Sequence, residues 1–308
     1  MTRFLNASGC LDALVAPEIA AQFDIFLTKT VTPEPRFGNP PVRIADADVG
    51  MLNSIGLANP GIERFVDENL PALEQLGIPL WVSVGGFSSS DFAQCCKALD
   101  GHESIKAIEL NVSCPNVDAP AEIASEIVAA ARLATSKLLY AKLSPALPDI
   151  PSVALAAEAA GADGLSLTNT LRGMTLDPGT LQPRLSTGVG GLSGPAIRPV
   201  ALAAVFACAK VSKLPILAMG GIETGEHALA FLAAGASDLA LGTILFADPE
   251  APRRIRKELI TAVDVLGYAS LEDVVGVSHA SDEGSKKPES GFLKGSKRLS
   301  TMMIETAN

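Results

Sequence analysis

Residues 108–117 of this chain read IELNVSCPNV, a β-favouring apolar run that ends in Asn111, Ser113, Cys114 and Asn116. A carboxamide donates through its nitrogen and accepts through its oxygen. Asparagines grouped at a strand end can therefore read a ring of alternating N–H and C=O groups. A thiol in the turn beyond can take a proton, provided its thiolate is accessible or the site acidifies that proton. A buried, inert Cys114 is the competing reading. Two lysines also end strand-like runs, Lys29 in LTKT and Lys142 in AKLS. Either alone could simply be solvated; two in one mouth favour an anionic ligand or an electron-rich ring.

Three glycine-rich stretches follow consecutive strand candidates: GGLSGPAI (190–197), AMGGIETGEHAL (218–229) and LGTILFADP (241–249). Backbone N–H groups of such turns and of helix N-termini bind phosphate well. One of them would be read as a tight turn that needs glycine. Three in succession favour a phosphorylated cofactor.

The elements that must position these residues alternate between two periods. Strand candidates are FLNAS (4–8), IFLTKT (25–30), LWVSVG (80–85), AIELNVS (107–113), LYAKLS (139–144), GLSLTNT (164–170), PILAMGG (215–221) and LALGT (239–243). Helix-period segments lie between them, such as 120–134 and 249–266. The latter has Asp248 as candidate N-cap, Pro249 at its first position and Gly267 just past its end. Near-continuous apolar strands, each followed by a helix, imply parallel strands buried on both faces. Eight such units predict a (β/α)8 TIM barrel, with chemistry at the C-terminal strand ends. An open doubly wound sheet competes, but the first strand's turn lacks G-x-G-x-x-G. Long Pro/Gly-rich connections after strands 2 (31–59) and 6 (171–194) read as lids or binding loops. The barrel is expected over 1–278. The polar, Ser/Lys-rich segment 279–308 has the composition of a disordered tail.

Composition narrows the function classes. The 308 residues are 48% hydrophobic, enough to bury a large core, with no continuously apolar run long enough for a membrane span. MTRFLNASGC lacks the apolar core of a signal peptide, so a soluble, cytoplasmic protein is expected. A net charge of −10 argues against nucleic acid as a partner. Five cysteines, without any C-x-x-C, argue against a disulfide framework and against a metal or iron–sulfur site on this chain. Cys10, Cys95, Cys96 and Cys208 read as small core or half-buried residues.

NASG, RFGNP, GMLNSIGLANPG, ELNVSCPNV, KLSP, TNT, GGLSGPAIRPVAL, AMGGI, AGAS and GT, in this order over residues 4–275, resemble the class 1 dihydroorotate dehydrogenases. The closer resemblance is to the 1B branch, the NAD-linked heteromeric enzymes. It implies an FMN-binding barrel that oxidises (S)-dihydroorotate to orotate in pyrimidine biosynthesis. Carried over by matching position, Cys114 is the base that removes the C5 proton while a hydride leaves C6 for the flavin. Asn53, Asn111, Asn116, Asn169 and Thr170 would hold the substrate, with the backbone of Ile55, Gly56 and Leu57 closing over it. Lys29 would lie between substrate and flavin, and Lys142 beside the flavin's N1/O2 edge. Ala7, Ser8, Thr30, Asn111, Ser193, Gly194, Gly220, Gly221, Gly242 and Thr243 match flavin-contacting positions. FAD and a [2Fe–2S] cluster are implied only for a partner subunit. A homodimer, or a heterotetramer with that partner, is the implied assembly.

The pattern departs from the family in two places. The stretch after SCPNV goes straight to DAPAEI, with Asp118 as cap and Pro120 opening a helix, about seven residues shorter than usual. Only three residues precede FLNASG, where the family usually has a β-hairpin that plugs the barrel bottom. Three other functions compete: a stand-alone, fumarate-using class 1A-like enzyme, a flavoprotein acting on another dihydropyrimidine, and a non-catalytic flavin-binding subunit.

Overall fold

In the computed structural model, which describes residues 2–112 and 121–280, all eight expected strands are present. They are β1 (Phe4–Asn6), β2 (Phe26–Leu27), β3 (Leu80–Val84), β4 (Ile105–Asn111), β5 (Leu138–Leu143), β6 (Gly164–Leu167), β7 (Ile216–Met219) and β8 (Asp238–Leu241). Each pairs in parallel with its sequence neighbour from β2 to β8, and β8 pairs with β1. A parallel bridge from Leu5 to Ile25 joins β1 to β2, and the Asp24 N–H donates to the Phe4 carbonyl at 3.0 Å. The ring is thereby closed, as a barrel requires. Cys114 and Asn116, the expected Asp118 cap and the Pro120 helix start lie outside the described residues, as do residues 281–308.

Alternation along each strand sorts side chains into two layers. One parity packs outward against helices such as Ser89–Asp100, Ala121–Ala134 and Arg198–Ala209. The other fills the barrel with Leu5, Leu27, Trp81, Ala107, Tyr140, Leu217, Met219 and Ala240. At the barrel floor the buried Asp238 takes a two-point ion pair from Arg3, at 3.0 Å to Nε and 2.5 Å to Nη2. The Arg3 guanidinium also lies 5.5 Å over the ring of Trp81, which leans on Tyr140 at 4.4 Å. Side chains of the strands themselves thus fill this end.

Cys95, Cys96 and Cys208 are fully buried, as their sequence context indicates. Loss of hydration pushes each thiol up to about 12, in keeping with packing groups.

Three expectations need correction. The long connections after β2 and β6 are not loops throughout. Ile44–Ala47, Gly50–Asn53, Gly190–Ser193 and Leu171–Gly173 form one antiparallel four-stranded sheet over the barrel mouth, in the order 44–47, 50–53, 190–193, 171–173. Leu52, Leu192, Ala45 and Leu185 give it a small core of its own. The last long helix begins at Ala251, with Glu250 as its cap and Pro252 in its first turn. Asp248 instead accepts from the Glu250 N–H at 3.0 Å and from Arg254 at 2.8 Å, a local turn that competes with capping. Gly267, at φ 79°, does end that helix. Finally, ordered chain continues past the expected boundary at 278. The His279 ring stacks on Phe206 at 4.3 Å and meets the Ala234 carbonyl at 2.9 Å.

Candidate active site

A cavity of about 340 Å³ opens between the C-terminal strand ends and the cap sheet. That is within the range of small-molecule sites. Every site residue expected from sequence that lies within the described chain lines it: Ala7, Ser8, Lys29, Thr30, Asn53, Ile55, Gly56, Leu57, Asn111, Lys142, Asn169, Thr170, Ser193, Gly194, Gly220, Gly221, Gly242 and Thr243.

The two insertions supply the cavity's roof. In the cap sheet, Asn53 pairs with Gly191, and the Asn53 amide donates to the Gly191 carbonyl at 3.3 Å. A Cβ on Gly191 would stand 2.2 Å from Thr170 Oγ1, so only glycine lets this strand lie against the end of β6. Leu57 adopts the left-handed region at φ 58°, and Asn59 Nδ2 holds its carbonyl at 2.7 Å. That brace keeps the 55–57 backbone on the cavity wall.

The floor is a polar network. Asn169 Nδ2 donates to Asn111 Oδ1 at 3.0 Å, and Asn111 Nδ2 donates to Thr30 Oγ1 at 3.2 Å. Thr30 meets Ser83 Oγ at 3.0 Å, and Ser83 donates to Glu109 at 3.1 Å. Lys142, nearly buried, lies 3.4 Å from the same fully buried carboxylate. On the opposite side, Arg198 donates to the Gly221 carbonyl at 2.9 Å and meets Glu223 at 3.3 Å, pinning the turn after β7. Burial, and then Arg198, lower the pKa of His227. Its Nδ1 accordingly accepts from the Glu223 N–H at 3.3 Å.

Sequence reading missed several lining or supporting groups: Cys10, Ser144, Thr168, Arg172 and, beneath them, Ser83 and Glu109. Ser83 and Glu109 share the inward parity of Trp81 and Asn111, a period-two signal that was available. Cys10 is half-buried on the cavity wall rather than in a core. Burial raises its thiol's pKa, against the pull of Lys142 and Lys29.

The cavity suits a polar, phosphorylated ring cofactor. Thr168 stands in its wall with Oγ1 buried and without a hydrogen-bond partner among the described residues. A Cβ on Gly242 would touch only Ala7 and Cys10, both at 3.5 Å, so glycine there keeps the cradle open. The glycine turns after β7 and β8 and the Ser193–Gly194 stretch converge on one side. Among the described residues, no three His, Cys, Asp or Glu side chains are grouped to hold a metal.

The dihydroorotate dehydrogenase family model matches residues 2–263. The Listeria monocytogenes protein named dihydroorotate dehydrogenase B (NAD(+)), catalytic subunit, is 43% identical over 282 residues, covering 88% of this chain and 92% of its own. The Geobacillus kaustophilus protein of the same name is 39% identical over 286 residues, covering 89% and 91%. The ligand-free dihydroorotate dehydrogenase structure from Eimeria tenella superposes with a TM-score of 0.77 at 24% identity, over 90% of this chain and 89% of that one, a likeness of fold. With the matched model running through the whole barrel that builds this cavity, the chain belongs to the dihydroorotate dehydrogenase family.

Proposed function

We propose that this chain is the catalytic subunit of a two-component, NAD-linked dihydroorotate dehydrogenase. Members of its family bind FMN and oxidise dihydroorotate to orotate in pyrimidine biosynthesis, and the chain is an enzyme of this kind. The observation that carries the catalytic reading is the meeting, in one cavity, of the amides of Asn53, Asn111 and Asn169 with two lysines and the glycine turns. The curated relatives' name supports an NAD-linked partner subunit. That partner would carry the FAD and [2Fe–2S] cluster. A homodimer of this chain within the assembly, and a cytoplasmic location, belong to the same proposal. No helix among the described residues is long and apolar enough to cross a membrane.

Dihydroorotate is a cyclic diamide with a carboxylate. Asn53, Asn111 and Asn169 present donors and acceptors to its ring, and Asn116 would add another. Thr170 and the backbone of 55–57 close its carboxylate side, and Lys29 supplies positive charge. Cys114 removes the C5 proton. Ser193, Gly194, Gly220, Gly221, Gly242 and Thr243 would hold the cofactor's phosphate, and Ala7, Ser8, Thr30 and Lys142 would hold the rest of it. FMN, when bound, supplies the hydride acceptor.

The purified chain is expected to hold one FMN non-covalently and to bleach anaerobically on adding dihydroorotate. Reoxidation by NAD only when an iron–sulfur/FAD subunit is added supports the two-component reading. Reoxidation by fumarate without that subunit would establish the stand-alone alternative. A colourless protein that gains no flavin on incubation with FMN rejects the cofactor site.

Gly191→Ala tests the roof. Its Cβ must displace Thr170, so orotate affinity is expected to fall about tenfold, roughly one charge-assisted contact, while FMN stays bound. Unchanged orotate titration of the flavin spectrum would remove Thr170 from the substrate site.

A further inference from the structure

Glu109 is fully buried inside the barrel, one layer below the cavity. Its Oε1 takes a hydrogen bond from Ser83 at 3.1 Å and lies 3.4 Å from Lys142 Nζ. Its Oε2 is buried and takes no bond from any described residue. Nothing in the proposed reaction uses this carboxylate, yet burying one is costly unless it is paired.

The bonds above it run one way. A carboxylate in an ion pair only accepts, so Ser83 spends its single proton on Glu109. Ser83 must then accept from Thr30, and Thr30, its proton spent, must accept from Asn111 Nδ2. That turns Asn111 Oδ1 toward Asn169, whose Nδ2 donates to it. The far end agrees independently: the Thr170 N–H can only donate, and it meets Asn169 Oδ1 at 2.8 Å. A backbone donor at one end and a carboxylate at the other thus leave a single polarity for the whole chain. Amide orientation is otherwise a free choice between two flips.

We infer that Glu109 is a positioning residue with two separable effects: it terminates the one-way chain that orients the amides of Asn111 and Asn169, and it compensates the charge of Lys142 on the cavity wall. The inference rests on the reading under Proposed function. Substituting the carboxylate by its isosteric amide removes the charge but keeps an oxygen for Ser83. Removing the Ser83 hydroxyl breaks the chain but keeps the ion pair. The two variants should therefore fail differently.

The test uses the FMN-loaded protein and two readouts, the two-electron midpoint potential and orotate affinity from the flavin spectrum. Glu109→Gln should make the potential more positive, because uncompensated Lys142 favours the reduced, anionic cofactor. A tenfold change in the reduced-to-oxidised ratio is expected, about 30 mV for two electrons, with orotate affinity within about twofold. Ser83→Ala should weaken orotate about tenfold and leave the potential unmoved. The inference is overturned if both variants match the native protein in both readouts, or if Glu109→Gln lowers the potential. If Glu109→Gln does not fold, Glu109→Gln/Lys142→Met decides. A folded double variant assigns the failure to the unpaired ammonium, and an unfolded one rejects the charge-pair role. A native protein that takes up no FMN, or whose spectrum ignores orotate, instead rejects the functional reading before any variant is made.

Discussion

Cys114→Ala is expected to slow reduction of the bound flavin by dihydroorotate about 10²–10⁴-fold, the usual worth of a positioned acid or base, while orotate binds nearly as before. The two halves of this expectation come from different parts of the site. On the proposed reading, affinity would reside in amides placed by rigid elements: Asn53 by the cap sheet, Asn111 as the last residue of β4, and Asn169 by its bonds to Asn111 and Thr170. None of these depends on the thiol. Proton removal at C5, by contrast, needs a base on the substrate, and burial raises the pKa of the Cys10 thiol on the cavity wall. Cys114→Ser should also be slow near neutrality but recover as pH rises, because a hydroxyl is a weaker acid than a thiol and yields its anion only at higher pH. Anaerobic stopped-flow reduction of the native, Ala and Ser proteins checks this, with orotate titrated against the flavin spectrum. Equal rates for native and Cys114→Ala would show that Cys114 is not the base.

The barrel was legible because its strands are near-continuous apolar runs, and a run such as LWVSV has only one plausible state between Gly- and Pro-marked turns. The cavity-lining set was legible through resemblance, which carries residue identities directly. What escaped was whatever depends on partners distant in sequence. Gly190–Ser193 reads as a glycine turn, and nothing local marks it as a strand. It is one because Gly50–Asn53, far upstream, offers it a ladder and because glycine permits the approach to Thr170. Asp248 reads as a helix cap, yet Arg254 and the Glu250 N–H compete for its oxygens. Cys10 reads as a small core or half-buried residue, since its position on the cavity wall follows from how the turn after β1 meets Gly242 at the end of the neighbouring β8. Glu109 could have been found. A single acid at an inward position of an otherwise apolar strand must have a partner, and the only lysine ending the next strand is Lys142.

That pair sets the second large effect. Lys142→Ala is expected to cost about 3–5 kcal/mol of stability, the usual consequence of stranding one member of a buried ion pair, and to weaken FMN binding at the same time. The Glu109 carboxylate has no access to water, and Ser83 alone would remain to hydrogen-bond it among the described residues. Lys29→Ala should behave differently. Lys29 also lines the cavity but is only half-buried, so water can replace much of what its ammonium provides. Its loss should change stability by less than about 1 kcal/mol, in keeping with a partly solvated charge. It should still weaken both orotate and FMN binding roughly tenfold, through a lost charge-assisted contact. Denaturant unfolding of the flavin-free proteins, followed by FMN and orotate titrations of those that fold, separates the two lysines. Adding Glu109→Gln to Lys142→Ala should restore most of the lost stability, because the carboxylate that made the loss costly is gone. If the double variant is no more stable than Lys142→Ala, the cost lies in the cavity left by the side chain. The ion pair would then not be what fixes Lys142 beneath the site.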